Sequence, residues 1–402
     1  MEKAITDNCP DIELAVVFEH SDRVFKTEKH GVVYYPVNAD YSFSDKIKCR
    51  LERGYGWNKI CKGFINAIED FRPDIIQCFG TEWPYGLIAK EVDIPMIIHM
   101  QGFLNVYHPL SQLAYSMADL KSYMWMHPIK YYRAMRRQKD RIWQEETERK
   151  IMACNSYFMG RTDWDKGLVA HYNPNAEYYY CAEAIRSTIY NNIIRWQYKP
   201  DSMSSENKMK IITVSQANDL KGNEIILRTA DFLKNTMHFD FCWRVAGMSE
   251  NFDKYEKRCG IRHQDVNVEL IGMISPEQIT NELLEAEVFV HPSIIDNSPN
   301  SLCEAQLMGV PVIASNVGGV SQLIEDNKTG MLYPYNEFQT LAFKLMDIHG
   351  DRENLVRISE DEKRVSGERH NPKQISMTVS EIYKDILNKY EKNCNSYRKS
   401  SD

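Results

Sequence analysis

Several features that mark particular classes of protein are missing from this sequence of 402 residues. No stretch reaches the roughly 18 consecutive apolar residues of a membrane-spanning helix, and the opening residues Met1–Asp7 contain no apolar core of a secretion signal. The ten cysteines are scattered, without a Cys-x-x-Cys pair or a histidine at metal-ligand spacing. These absences predict a cytoplasmic protein with reduced thiols and no metal site.

An excess of positive charge is missing as well. Acidic residues outnumber basic ones by 56 to 49, and the formal net charge is −7, so we expect no nucleic-acid partner. Residues 121–143 are an exception, since they mix five aromatic with seven basic side chains. That mixture is typical of a helix at the inner face of an anionic membrane. A long helix with its aromatic residues in the domain core is the slightly favoured alternative, because Pro128 interrupts the pattern.

Two series of short apolar runs alternate with amphipathic stretches along the chain. The alternation predicts parallel strands covered by helices on both faces, which is an α/β fold. A polar segment with several serines, 197–207, separates the two series. We therefore predict an N-terminal domain over 1–196, a linker over 197–208 and a C-terminal domain over 209–371. A final helical segment, 372–402, is expected to pack back on the first domain.

The most informative stretch for function is 291–315. A strand is expected to end near His291, and a helix to start at Ser298 and Pro299, which suit the cap and the first helical position. Ligands of open parallel sheets bind beyond the carboxyl ends of the strands, and the backbone N–H groups of a helix start bind phosphate. Here those N–H groups belong to Asn300, Ser301 and Leu302.

Two acidic residues flank this predicted phosphate site. Asp296 lies in the loop before the helix, and Glu304 lies about one and a half turns into it. With a diphosphate between them, the two carboxylates can accept hydrogen bonds from hydroxyl groups at either end of the ligand. An ordinary helix start with two surface charges is an equally good interpretation of the local pattern.

The same stretch resembles the donor-site signature of the glycosyltransferase family 4 enzymes. That signature has two acidic residues eight positions apart, followed by an alanine, a Gly-x-Pro-Val strand and a Gly-Gly loop. Asp296 and Glu304 take the acidic positions, and Ala305, Gly309–Val312 and Gly318-Gly319 follow in order. The resemblance implies the GT-B fold, in which two Rossmann-like domains face each other across a cleft. It also implies transfer with retention of configuration and without a metal ion.

Roles for the residues of this stretch follow from the resemblance. Asp296 is expected to contact hydroxyls of the transferred sugar, and Glu304 the ribose of the nucleotide. Asn297 and Ser298, in the loop between them, are expected to hold sugar and phosphate together with the helix start. The donor itself is expected to be a UDP- or GDP-sugar, and no separate cofactor is implied.

A second motif of the family follows the first strand of the second domain. Lys221 and Gly222 match a Lys-Gly pair whose lysine grips the diphosphate as a point charge. Gln216 stands where relatives usually carry an arginine, so one cation is missing from the pattern. Taken alone, Lys221 would be interpreted as a solvated lysine before a helix; the context of Asp296 and Glu304 favours the binding role.

The first domain offers fewer candidates. Gln101 takes the position of the histidine in a His-Gly pair common among relatives, and Arg161 follows a later strand-like run, where a surface salt bridge is the alternative to a cation at the cleft. His99 is interpreted as a packed core residue, and Glu82 as a residue that could face the acceptor. The family's usual first strand and glycine-rich loop have no counterpart before Ile12, so this domain is expected to lack that strand.

The sequence therefore predicts a retaining glycosyltransferase that moves a sugar from a nucleoside-diphosphate sugar to a glycan or a lipid-linked acceptor. Asp296, Lys221, Arg161 and Gln101 are its predicted catalytic residues. Two alternatives stay open. One is a nucleotide-sugar epimerase of the same fold, and the other is a catalytically impaired family member that binds a nucleotide-sugar without transferring it.

Overall fold

A computed structural model describes residues 1–21, 25–38, 41–52, 54–112, 127–191, 195–197, 208–215, 218–247 and 252–400. The chain divides into two compact units. The first unit consists of residues 1–161, 165–184 and 372–402, and the second of residues 162–164 and 185–371. Among the residues that the structure describes, every helix is too short or too polar to cross a bilayer.

The described residues of the first unit form two sheets. In the smaller one, β1 (Leu14–Glu19) runs parallel to β3 (Val32–Val37), and β2 (Thr27–Lys29) pairs antiparallel on the other side of β3. The larger sheet is wholly parallel, with the strands in sequence order. Its members are β4 (Ile76–Phe79), β5 (Met96–His99), β6 (Tyr157–Gly160) and β7 (Glu177–Tyr180).

Seven helices accompany these sheets among the described residues. The last of them belongs to this unit because Ile375, Val379, Ile382 and Ile386, at helical spacing, are buried in one cluster with Ile97 of β5. The helix that begins at Asp163 has its first two residues in the second unit. The seven are Glu2–Asn8, Phe43–Leu51, Tyr55–Phe71, Leu104–Gln112, Pro128–Cys154, Asp163–Tyr172 and Pro372–Ser400, and a 3-10 helix spans Pro84–Lys90.

The second unit is built on one parallel sheet of six strands. In chain order these are β8 (Met209–Val214), β9 (Phe241–Ala246), β10 (Val268–Gly272), β11 (Val288–His291), β12 (Val312–Ser315) and β13 (Met331–Tyr333). They lie in the order β10-β9-β8-β11-β12-β13. The first three strands extend the sheet from β8 to one side, through β9 to β10. The chain then returns to β8, and β11, β12 and β13 extend the sheet on the other side. This is the order of the doubly wound nucleotide-binding fold, whose ligands bind where the direction reverses.

Helices cover this second sheet. The helix that follows β11 is buried over most of its length, from Leu302 to Met308, and this buried stretch includes Glu304 and Gln306 beside its apolar side chains. The α-helices of the unit are Ser187–Tyr190, Asn223–Asp231, Asp253–Cys259, Pro276–Glu285, Asn300–Met308, Val320–Leu323, Phe338–Gly350 and Arg352–Arg369.

The boundary between the units differs from the one predicted at residue 196. Trp196 is buried in the second unit, where its indole donates to the carbonyl of Ala286 at 2.7 Å and its backbone N–H to that of Met308 at 3.0 Å. Ile189 is fully buried there as well. The division therefore falls between Ala184 and Ile185. Most of the predicted linker, 198–207, lies outside the described residues.

One buried acid of the second unit predicts an effect on stability. Glu362 is 0% exposed in the helix Arg352–Arg369, and its carboxyl oxygens make no hydrogen bond of ordinary geometry with the described residues. Burial raises the pKa of Glu362 well above its usual value, against the opposing effects of the Val312 amide and the Lys363 charge. Because the folded protein favours the neutral acid, stability is lost as the pH rises above about 4.5 and through the raised pKa.

Glu362→Met is therefore expected to raise the free energy of unfolding by about 1–3 kcal/mol, because it removes an unsatisfied polar group. The gain should be larger at pH 8 than at pH 5 in urea titrations. Glu360→Gln, at an exposed position of the same helix, should change stability by less than about 0.5 kcal/mol. A loss of stability in Glu362→Met at both pH values would show that the carboxyl group is stabilising.

Candidate functional site

Two loops meet at the point where the strand order of the second unit reverses. One follows β8 and ends at Gly222, and the other follows β11 from Pro292 onward. They are tied by a hydrogen bond from the N–H of Ile294 to the carbonyl of Leu220 at 2.8 Å. A Cβ on Gly222 would lie 1.8 Å from the carbonyl oxygen of Pro292, and the φ of Gly222 is +67°. Only glycine allows this approach, and it places Lys221 over the second loop.

Lys221 and Asp296 form an ion pair across these two loops. The Lys221 Nζ lies 2.6 Å from Oδ2 of Asp296, and the His291 Nε2 lies 3.2 Å from the same oxygen. The hydroxyl of Ser293 donates to it at 3.3 Å. Burial alone would raise the pKa of Asp296, but the neighbouring His291 ring and the charge of Lys221 hold it well below its usual range. Asp296 is therefore an ionised acceptor at neutral pH.

The Gly318-Gly319 pair after β12 supports the loop that carries Asp296. The N–H of Gly319 donates to the carbonyl of Asp296 at 3.1 Å. A Cβ on Gly318 would lie 2.1 Å from that carbonyl oxygen, and one on Gly319 would lie 2.5 Å from the carbonyl oxygen of Asn297. Asn297 and Ser298 are themselves buried. The glycines are required here by close backbone contact, which fixes the position of the acidic loop.

The helix after this loop begins one residue later than predicted. Pro299 is the cap, with extended backbone angles, and Asn300 is the first helical residue. The hydroxyl of Ser298, one residue before the cap, lies 3.7 Å from the sulfur of Cys303. The N–H of Leu302 donates to the carbonyl of Pro299 at 3.1 Å. The prediction that Leu302 offers a free N–H is therefore wrong. Within the described part of the chain, the N–H groups of the helix start that have no acceptor are those of Asn300 and Ser301.

Glu304 is buried in the first turns of this helix and forms an ion pair with Arg186. The Nε of Arg186 lies 2.5 Å from Oε1 of Glu304, whose side chain is 3% exposed. Burial raises the pKa of Glu304, and the Arg186 charge opposes that rise. Arg186 precedes the short helix Ser187–Tyr190, which packs against the helix Asn300–Met308. No motif in the sequence marks Arg186, so this cation is an addition to the predicted set.

The remaining predicted residues lie elsewhere. Gln216 falls outside the described residues. In the first unit, Gln101 and Arg161 follow β5 and β6, and Nη2 of Arg161 lies 3.4 Å from Oε1 of Gln101. Arg161 is 6% exposed and pairs with Glu183, so the salt bridge considered for it is a partly buried one. Glu183, which follows β7, was not predicted.

His99 and Glu82 are two further polar residues at this edge of the first unit's larger sheet. His99 is fully buried, and its Nδ1 lies 3.2 Å from the side-chain nitrogen of Gln77. Burial and the Arg161 charge lower the pKa of His99 to about 3, in keeping with a neutral core residue. The carboxylate of Glu82 lies against Gly80 and Gly102, where added Cβ atoms would be 1.9 and 3.3 Å from its oxygens.

The geometry of the second unit suits an anionic ligand that carries hydroxyl groups at both ends. Lys221 and the N–H groups of Asn300 and Ser301 supply positive charge, with Asp296 on one side and Glu304 on the other. Among the described residues, no three His, Cys, Asp or Glu side chains are grouped so that they could hold a metal ion.

Solved structures with the same architecture define the class of fold. Sucrose-phosphate synthase from Thermosynechococcus elongatus has a TM-score of 0.71 at 14% identity, and the alignment covers 96% of this chain and 92% of the synthase. Anabaena HepE, solved in complex with UDP-glucose, has a TM-score of 0.61 at 13% identity. The alignment covers 89% of this chain and 87% of HepE. The chain has the α/β architecture of the GT-B glycosyltransferases, with two Rossmann-like units, as predicted.

A family model matches a narrower part of the chain. Residues 194–365 match the model of the glycosyl transferases group 1, and this stretch contains Lys221, Asp296 and Glu304. This match lies within the second unit, and it supports the resemblance drawn from the sequence at the level of that family.

Curated relatives match mainly over part of their length. The amylovoran biosynthesis glycosyltransferase AmsK of Erwinia amylovora is 26% identical over 158 residues, which are 37% of this chain and 38% of AmsK. The putative colanic acid biosynthesis glycosyltransferase WcaL of Salmonella typhimurium is 27% identical over 150 residues, 35% of this chain and 36% of WcaL. The matched part is thus little more than a third of each of these two relatives.

Proposed function

We propose that the protein is a glycosyltransferase that moves a sugar from a nucleoside-diphosphate sugar to a hydroxyl group of an acceptor. The observation that carries the proposal is the Lys221–Asp296 ion pair at the strand reversal of the second sheet, with Glu304 about one turn into the adjoining helix. This is the place where a doubly wound sheet binds nucleotides, and the match to the group 1 family covers the same residues.

In this proposal the donor lies along the start of the helix Asn300–Met308. The diphosphate accepts hydrogen bonds from the N–H groups of Asn300 and Ser301, and from Lys221, whose ammonium keeps two donors after bonding Asp296. Asp296 accepts from hydroxyls of the sugar, and Glu304 from those of the ribose. The charge of Arg186 opposes the rise in the pKa of Glu304 that burial causes. It therefore keeps more of the Glu304 carboxyl group in the charged form, which binds hydroxyls strongly.

Catalysis then rests on position and charge. The bond from the anomeric carbon to the diphosphate oxygen breaks, the acceptor oxygen bonds to that carbon, and the acceptor's proton passes to the departing diphosphate. Lys221 and the helix start stabilise the negative charge of the leaving group as it develops. The family resemblance supports attack from the face that the diphosphate leaves, which retains the configuration, and a reaction without a metal ion.

The relatives guide the choice of substrates. AmsK and WcaL are named for the biosynthesis of amylovoran and colanic acid, which supports a growing polysaccharide or a lipid-linked glycan as the acceptor. HepE was solved with UDP-glucose, which favours a UDP-sugar over a GDP-sugar as the first donor to test.

A donor panel tests the proposal. The protein is incubated with UDP-glucose, UDP-galactose, UDP-N-acetylglucosamine and GDP-mannose, and the released nucleoside diphosphate is measured with and without lipid-linked acceptors. We expect slow release from one donor, faster release with acceptor, and the α-anomer as first product by NMR. Release of a β-anomer would contradict retention. An epimerised donor without transfer would indicate an epimerase. Failure to consume any donor would indicate a protein that binds a nucleotide-sugar without transferring it.

A further inference from the structure

The helix Phe43–Leu51 of the first unit turns its apolar side chains to the solvent. Phe43 and Leu51 are each 81% exposed, and Ile47 is 42% exposed. Their spacing of four residues places all three on one stripe of the helix surface. A helix on a globular protein normally turns such a stripe toward the core, so the arrangement here is reversed.

The opposite side of the helix fixes this orientation. Asp45 is 5% exposed and caps the helix by accepting from the N–H of Ser42 at 2.9 Å. It also accepts from the hydroxyl of Tyr55 at 2.7 Å and pairs with Lys59 of the following helix. Asp45 lies about 160° around the helix from the centre of the apolar stripe, at 100° per residue. The polar side is therefore anchored to the protein and the apolar side points away from it.

Basic residues flank the stripe on both sides. Lys46 and Arg50 lie on one flank and Lys48 on the other, all exposed. The ammonium of Lys48 lies 5.4 Å from the ring centre of Tyr55. The one acidic residue within the helix is the buried Asp45, and Glu52 follows the last turn. An apolar centre between cations is the pattern of a helix that lies in the interface of an anionic bilayer.

We propose that this helix docks the first unit on an anionic membrane surface. Phe43, Ile47 and Leu51 enter the boundary between headgroups and acyl chains, and Lys46, Lys48 and Arg50 contact lipid phosphates. Three apolar side chains on one short helix are too narrow a surface for a standard protein interface, and the cations on both flanks favour a charged planar partner. The proposal is independent of the proposed enzymatic function.

A second helix of the first unit also exposes apolar side chains. In the part of 121–143 that the structure describes, Ile129 and Tyr132 are 68% and 67% exposed. Pro128 begins this helix rather than interrupting it. Trp143 lies 3.5 Å from the Cβ position of Gly54 and so packs within the unit. Residues 121–126 lie outside the described part of the chain. The composition of 121–143 predicted a membrane contact, and the helix Phe43–Leu51 is the stronger candidate for it.

Sedimentation with lipid vesicles tests the proposal. The full chain is mixed with phosphatidylcholine vesicles that contain about 30% phosphatidylglycerol, and separately with pure phosphatidylcholine vesicles. We expect binding to the anionic vesicles that weakens at high salt. Phe43→Ser/Leu51→Ser should lower the affinity about tenfold or more, and Lys46→Gln/Arg50→Gln should lower it about fivefold per cation removed.

Met273→Ser is the matched control, because Met273 is 76% exposed in the second unit and its replacement should leave vesicle binding unchanged. All variants change exposed side chains and should keep the melting temperature of the wild type. Three results would overturn the proposal: no binding of the wild type to anionic vesicles, equal binding of the Phe43/Leu51 variant, or conversion of an oligomer to a monomer by that variant in size-exclusion chromatography.

Discussion

Lys221→Met is expected to reduce sugar transfer by about 100- to 1,000-fold, because it removes the side-chain cation proposed to stabilise the leaving diphosphate. It should also lower the free energy of unfolding by about 1–3 kcal/mol, since Asp296, with 14% of its side chain exposed, would lose its ion-pair partner. The pKa of Asp296 is held below its usual value of about 4. Its ionised form therefore stabilises the fold at all pH values above that range, and the cost should be the same at pH 6 and pH 8.

A second variant separates stability from chemistry. Lys221→Met/Asp296→Asn removes both charges, so it should recover most of the stability lost in Lys221→Met but none of the transfer activity. Lys328→Met is the matched control, because Lys328 forms an exposed pair with Glu325 at 2.9 Å and should affect neither property by a measurable amount. Full activity in Lys221→Met, measured as kcat/KM for the preferred donor, would show that this lysine does not act in the donor site.

Gly222→Ala is expected to have the largest effect on the fold among the single substitutions considered. A Cβ at this position would fall 1.8 Å from the carbonyl oxygen of Pro292, on backbone with a φ of +67°. The two loops must then separate, which we expect to cost more than about 3 kcal/mol and to move Lys221 away from Asp296. A displacement of about 1 Å at a reacting group lowers rates about 100-fold, so transfer should fall by at least that factor.

Gly260→Ala provides the comparison for this prediction. Gly260 has nearly the same φ, +68°, but a Cβ there would have no neighbour within 4 Å. It should cost only the backbone strain of a left-handed alanine, about 1–2 kcal/mol, and leave transfer unchanged. Denaturant titration and donor turnover measure both variants. Equal losses of stability in the two variants would show that the contact between the loops does not matter.

Local patterns allowed the parallel sheets, the helix after β11 and the Asp296–Glu304 pair to be predicted. Each depends on residues a few positions apart: apolar runs for strands, a polar loop before a helix, and a fixed spacing of two acids. The same applies to Lys221, which stands beside a glycine after a strand. The roles assigned to these residues remain predictions until a ligand is measured.

Contacts between distant parts of the chain could not be predicted in this way. Arg186 reaches Glu304 across more than a hundred residues, and nothing in its own sequence context marks it. Trp196 belongs to the second unit because its indole bonds to Ala286, although it stands next to the polar linker. The outward stripe of the helix Phe43–Leu51 has the spacing of a core-facing helix, and only the burial of Asp45 shows which side faces the protein.

Calorimetric titration with UDP, GDP, ADP and dTDP, on the wild type and on Glu304→Gln, tests the donor site most directly. We expect one nucleoside diphosphate to bind the wild type, and Glu304→Gln to weaken it about 10- to 100-fold, the value of a charge-assisted hydrogen bond. Glu282→Gln is the control, because Glu282 forms a similar ion pair with Arg244 at 2.5 Å. This variant should bind the nucleoside diphosphate like the wild type. Binding that Glu304→Gln leaves intact, or no binding of any diphosphate, would contradict a donor site in the second unit.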